Sequence, residues 1–345
     1  MTQSSLDLSQ QPELALHAEA IASVSRVADS LELDPLIVGA FARDIHLVYA
    51  HGIDTRRRTE DVDLALAVPN WAAFDSLQKG LVDGGDFTLG PSTFPRLRHR
   101  NGLPIDLVPF GAVETKDRKI EWPHPAERAM DVFGFREAQV KACEIVLPGP
   151  MRATVVSLPA LALLKVVAWQ DRHDVAPLKD AHDLALILKH YLGAGNEPRL
   201  WEEFAAWTED ADFDYEFASA RMLGNDVAAM LDEEGLCRIS DLLARQTDSK
   251  EYSTASIELI LPSSCCDSKT RRRKPEGQRT SELKRASLNS RTQRAAGRSP
   301  AKVPQAHDEE AAGPAPSRKL SLVRSSHVVL VLSVLASPER LNLAG

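Results

Sequence analysis

Asp61-Val62-Asp63-Leu64-Ala65-Leu66-Ala67-Val68 reads as a strand that carries two carboxylates. Side chains alternate from face to face along a strand, so Asp61 and Asp63 share one face. Val62, Leu64 and Leu66 then address the opposite layer. Two carboxylates held this close repel each other, and a divalent cation relieves that repulsion. Hard oxygen donors of this kind suit Mg²⁺ (or Mn²⁺), with substrate phosphates completing its coordination. Pro69-Asn70 ends the strand, and Trp71 to Leu81 has helical spacing.

The pair alone leaves several chemistries open. Glycosyltransferases hold a sugar-nucleotide metal with Asp-x-Asp, after a longer Rossmann-like unit than the 60 residues that precede Asp61 here. Haloacid-dehalogenase-type phosphatases place Thr or Val where Ala65 stands. Asp106 narrows the choice. It lies in Leu103 to Phe110, a strand otherwise built of Pro104-Ile105 and Leu107-Val108-Pro109. A lone carboxylate in such a strand is costly unless something charged faces it. If this strand pairs beside the first, Asp61, Asp63 and Asp106 converge on one metal cluster. Two metals there would activate an acceptor hydroxyl and stabilise departing pyrophosphate.

Upstream, residues 12–32 read as an amphipathic helix ended by Asp34-Pro35. Leu36-Ile37-Val38 is a short apolar strand running into Gly39-Ala40, and Phe41 to Tyr49 is a helix stopped at Gly52. Small residues where strand meets helix let backbone N–H groups approach a triphosphate, although an ordinary turn has the same composition. Downstream, Phe94 to His99 and Leu103 to Phe110 form a hairpin around Asn101-Gly102. Segments 144–147 and 152–156 are two more strands. After Ser157 the spacing turns helical, over 158–172, 179–191, 200–207, 215–231 and 236–245.

The expected fold class is α+β, a core with a mixed sheet over 12–156 followed by an all-α domain over 157–247. The chain has 345 residues, a net charge of −8 and 43% hydrophobic residues, enough for a sizeable core. From Lys250 onward 17 Lys/Arg stand against 9 Asp/Glu, so the body before it is the acidic part. An acidic body is a poor passive binder of nucleic acid. Residues 248–345 are rich in Ser, Arg, Lys, Pro and Gln and include Arg271-Arg272-Arg273-Lys274, so the expectation is a low-complexity basic tail without a packed core. Cys143, Cys237, Cys265 and Cys266 show no zinc spacing. The first twenty residues lack a signal peptide's basic and apolar regions, and the apolar run 327–336 is shorter than the ~20 residues of a membrane span. The expected location is the cytoplasm, without membrane association.

Gly39-Ala40, then a helix, then Asp61-Val62-Asp63 and a later Asp106 resemble the DNA polymerase β-like nucleotidyltransferase superfamily. Its usual second Gly or Ser is Ala40 here, which removes a hydroxyl contact. The stretch Gly39-Ala40-Phe41-Ala42-Arg43-Asp44 is similar to the opening motif of tRNA-nucleotidyltransferases and adds Arg43 as a nucleotide contact. The closest resemblance is to AbiEii-type nucleotidyltransferases, toxins of type IV toxin–antitoxin systems, over about residues 15–245. It rests on VGAFARD, HGIDTRRRTEDVDLAL, IDLVPFG, LLKVVAWQDR and LKDAHDL.

That resemblance implies a second half of the site. Lys165 and Arg172 lie on one helix, and Lys179, Asp180 and Asp183 open the next, the two acids on one face. By resemblance Lys165, Arg172 and Lys179 meet nucleotide phosphates, and Asp180 or Asp183 assists the acceptor or orients the basic pair. Lys179 stands where Arg is frequent, losing a bidentate contact. Arg58, in the loop before the Asp-x-Asp strand, is a further phosphate contact. The residues alone also allow Lys165 to snorkel outward and the Lys179–Asp183 charges to complement a helix start. The implied activity is NMP transfer from an NTP to a tRNA 3′ end or a protein hydroxyl, restrained by a cognate antitoxin. The alternative is a catalytically inactive nucleotide- or RNA-binding module of the same fold.

Overall fold

Period-two alternation in the first half and 3.6-residue spacing in the second sort the chain into a mixed sheet followed by helices. The computed structural model describes residues 5–56, 59, 61–89, 96–123, 129–172, 179–210 and 213–247. Arg58 and the tail 248–345 lie outside the described residues.

A short strand β1 (Leu6–Asp7) precedes a 3-10 turn at Pro12–Leu14 and helix α1 (Ala15–Asp29). Strand β2 (Leu36–Val38) runs directly into α2 (Gly39–Asp44), which continues as a π-helical stretch over Ile45–Ala50. Then come β3 (Val62–Val68), α3 (Trp71–Asp83), β4 (Phe87–Leu89), β5 (Arg96–His99) and β6 (Pro104–Gly111). A small separate pair, β7 (Lys119–Ile120) and β8 (Met130–Asp131), leads to α4 (Phe135–Val140) and the hairpin β9 (Cys143–Leu147) and β10 (Met151–Val155). The remainder is helical: α5 (Leu158–Arg172), α6 (Lys179–His190), α7 (Glu197–Glu202), α8 (Tyr215–Ala228) and α9 (Glu233–Thr247), with a π turn at Leu192–Asn196 and a 3-10 turn at Ala205–Glu209.

The main sheet has the order β1-β9-β10-β2-β3-β6-β5-β4. The pairs β1–β9, β10–β2 and β3–β6 are parallel and the others antiparallel, so the sheet is mixed as expected. Val62, Leu64 and Leu66 of β3 and Ile105 and Leu107 of β6 are fully buried. Burying each such side chain contributes roughly 1.5–3 kcal/mol. Helix α3 turns Phe74, Leu77 and Leu81, spaced by three and four, into this core. Its start is fixed by Asn70, whose side chain accepts from the Ala73 N–H at 2.9 Å. One connected set of buried apolar side chains runs from Leu8 to Leu243. Helix α2 contacts β3 on one side and α5 and α6 on the other, and so joins the sheet to the helices.

Several boundaries differ from the expectation. The helix expected over 12–32 is a 3-10 turn plus α1, and the one over 200–207 is broken between α7 and a 3-10 turn. The expected helix at 41–49 begins at Gly39 and passes into π geometry at Ile45.

Candidate active site

The register of three central strands assembles the acids. Asp63 of β3 lies directly opposite Asp106 of the parallel strand β6. On its other side it lies opposite Val38 of β2. Asp61 stands two residues before Asp63, at the mouth of the strand. The sheet thus brings together the carboxylates that the alternation put on one face and the isolated acid of the second strand.

Gly39 makes room for one of them. Its φ is +71°, and a Cβ placed on it would fall inside the van der Waals envelope of the Asp63 carboxylate. A side chain is excluded here by both backbone conformation and space. Gly39 therefore serves Asp63 directly, a reason independent of any triphosphate. Ala40, half-buried, follows in α2.

Burial pushes the Asp63 carboxyl up to about 6, with the negative charges of Asp106 and Asp61 adding to the shift. Lys165 and Lys179 act on it in the opposite sense and are outweighed. The charged form of Asp63 is thus disfavoured in the protein alone, which is what a cation would reverse.

Sequence reading missed Arg96. On β5, opposite Asp106 in register, it donates from Nε to Asp106 Oδ1 at 2.7 Å and from Nη2 to Asp106 Oδ2 at 2.5 Å. The same Nη2 reaches Asp61 Oδ2 at 3.0 Å. Among the described residues no three His, Cys, Asp or Glu side chains are close enough to form a ready metal cage; at Asp61 and Asp106 a guanidinium stands between the acids. A signal was present: in a hairpin centred on Asn101, equal steps outward reach Arg96 and Asp106.

The second half of the site is a connected charge network. Arg43, 1% exposed, donates from Nε and Nη2 to Asp44 Oδ1 at 2.9 and 2.6 Å and from Nη1 to Asp183. Lys165, 5% exposed, donates to Asp183 at 2.7 Å and Asp180 at 3.2 Å. Arg172 forks onto Asp180 at 2.6 and 2.8 Å while 41% of its side chain stays exposed. Asp44 also accepts from the Thr59 N–H at 3.2 Å. Arg43 and Lys165, read in the sequence as nucleotide contacts, are thus buried on aspartates.

Burial raises the Asp44 carboxyl in spite of Arg43. Burial also works to raise Asp180, but hydrogen bonds from Arg172 and the charge of Lys165 outweigh it and hold that carboxyl low. The hydrogen bond to Asp180 holds the Arg172 guanidinium up in spite of burial, and the charges of Asp180 and Asp63 add to this. Arg172 therefore senses Asp63 across the space between sheet and helices. Lys179, exposed at the start of α6, acts on Asp63 as well.

A family model described as "Nucleotidyl transferase AbiEii toxin, Type IV TA system" matches residues 36–258, more than half of the chain. Solved structures that resemble it include ANT(2")-Ia in complex with adenylyl-2"-tobramycin, at 17% identity and a TM-score of 0.33, covering 56% of this chain and 98% of that one. A second is an antigenic nucleotidyltransferase-like protein from Paracoccidioides brasiliensis, at 16% identity and a TM-score of 0.31, covering 56% of this chain and 91% of that one. No curated protein matches the chain. No described helix is long and apolar enough to cross a membrane.

Proposed function

We propose a reaction for a chain that belongs to the AbiEii family of nucleotidyltransferases: transfer of NMP from an NTP to an acceptor hydroxyl, with release of pyrophosphate. The observation that carries this reading is the in-register pair of Asp63 and Asp106 on adjacent parallel strands, with Asp61 at the strand mouth. Their hard donors fit a divalent cation, and Asp63 gains most from one because its charge is disfavoured without it. Asp61, Asp63 and Asp106 would hold Mg²⁺ or Mn²⁺, which supplies charge neutralisation at the phosphates.

Asp106 takes the proton of the acceptor hydroxyl as its oxygen bonds to the α-phosphorus. The bond from that phosphorus to the bridging oxygen breaks, and its electron pair leaves with pyrophosphate. Arg172, oriented by Asp180 and half-exposed, and Lys179, exposed on the next helix, receive the negative phosphates. The backbone at Gly39-Ala40 lies along the triphosphate, and Arg58 adds a contact from the preceding loop. Lys165, Arg43 and Asp183 hold this arrangement from behind: their polar atoms are engaged with one another and turned away from solvent. The sheet core over 12–156 and the helices over 157–247 act as two units with the site between them. In the cell the acceptor is a tRNA 3′ end or a protein hydroxyl, and a cognate antitoxin restrains the resulting growth arrest in the cytoplasm.

One observation favours a second reading, a nucleotide- or RNA-binding module without catalysis. The guanidinium of Arg96 already neutralises part of the carboxylate cluster. Incubation with each of the four α-³²P-labelled NTPs, Mg²⁺ and total tRNA separates the two, with an Asp61→Ala/Asp63→Ala variant alongside. Label moved to tRNA or to protein by the intact chain and lost in the variant supports transfer. A folded protein that binds NTP and labels nothing supports the binding module.

A further inference from the structure

Arg96 has no part in the transfer chemistry above, yet its position bears on how the site is loaded. A single atom, Nη2, stands 2.5 Å from Asp106 Oδ2 and 3.0 Å from Asp61 Oδ2. That is the bridging place between two carboxylates. A divalent ion held by these two acids would draw on the same oxygens, so the guanidinium and the ion compete for them. Nε holds the other Asp106 oxygen at 2.7 Å, which gives the arginine a forked grip on one acid and a single reach to the other. The side chain is 42% exposed, so the guanidinium has solvent to turn into.

We propose that Arg96 is a positioning residue that serves as the resident counter-cation of the cluster. It holds Asp61 and Asp106 side by side before metal arrives, and it yields the bridging place when a divalent ion enters. Without it, two partly buried carboxylates beside Asp63 would repel and spread, and the register that aligns them would lose much of its use. With it, metal entry is a displacement, so the protein binds the ion more weakly than its three acids would allow. This inference rests on the metal-dependent reading of the site and deepens it.

The test is Mn²⁺ binding in the absence of nucleotide, followed by the electron paramagnetic resonance signal of free Mn²⁺, for the full chain and for Arg96→Gln and Arg96→Lys. Removing a charge-assisted competitor should tighten binding on the order of tenfold in Arg96→Gln, with Arg96→Lys in between. Metal-free Arg96→Gln should also melt below the parent, and saturating Mn²⁺ should close the gap. If Arg96→Gln does not fold, tighter binding by Arg96→Lys, which keeps the charge but loses the fork, supports the proposal by itself. A parent that binds Mn²⁺ with variants that bind it equally or more weakly would overturn the inference and leave the transferase reading standing. No Mn²⁺ binding by parent or variants would overturn both.

Discussion

Two groups of charged side chains lie close together in this fold and are built on opposite plans. On α2, α5 and α6, Asp44, Asp180 and Asp183 meet Arg43, Lys165 and Arg172, and the acids and bases balance. On the sheet, Asp61 and Asp106 meet the guanidinium of Arg96, and Asp63 lies beside them. The first group is mostly buried and its hydrogen bonds are made within the protein. The second is partly exposed, and burial disfavours the charge of Asp63 with two like charges beside it, whereas at Asp44 in the first group the same effect of burial is opposed by Arg43. A balanced network keeps sheet and helices in place. An unbalanced one retains electrostatic energy that a proton or a bound cation relieves.

Breaking the balanced group should give the largest change in stability. Asp183→Ala removes the acid shared by Arg43 and Lys165, leaving Asp44 and Asp180 to face three cations and the buried network one carboxylate short. A loss of about 3–5 kcal/mol is expected, read as a fall in the urea midpoint. Gly39→Ala should follow, at roughly 2–3 kcal/mol, because it combines a left-handed backbone with a side chain driven into Asp63. NTP-dependent labelling should be lost with it even where the protein remains folded.

The pH dependence sharpens the contrast. Asp63 holds its proton up to about pH 6 in the folded chain, above its ordinary value near 3.8. Between those values the folded state binds more protons than the unfolded one, so this group makes metal-free stability fall as pH rises. Mg²⁺ should cancel the fall, and its own affinity should rise through pH 6. Urea titrations at pH 5 and pH 7, with and without Mg²⁺, read both effects. The smallest change is expected from Arg172→Lys, which keeps a charge on Asp180 but loses the fork. A KM for NTP raised about three- to tenfold, with an unchanged melting temperature, is the expected result.

Much of the carboxylate cluster was legible in the sequence because alternation is a local signal. The strands at 61–68 and 103–110 could be read from their own residues, and Asp106 stood out because everything around it is apolar. The partner of that acid was harder to see. Arg96, Arg98 and Arg100 alternate along one stretch, and only the pairing of β5 with β6 selects Arg96. Strands of two residues, such as β1 and β7, have too little length to show a period. Burial of Arg43 and Lys165 was hidden for another reason. A basic residue among apolar neighbours reads equally as a snorkelling side chain or a ligand contact, and the acid they share, Asp183, is 140 residues away from Arg43 and 18 from Lys165.

The most direct measurement is to melt and assay Asp63→Asn beside Asp183→Ala. The predicted result is a metal-free melting temperature equal to or above the parent's for Asp63→Asn, because a disfavoured charge is gone, with NTP-dependent labelling reduced on the order of a thousandfold or more. An Asp63→Asn chain that melts as low as Asp183→Ala, or one that labels its acceptor as well as the parent, would contradict the division of the two groups into catalytic and structural charge.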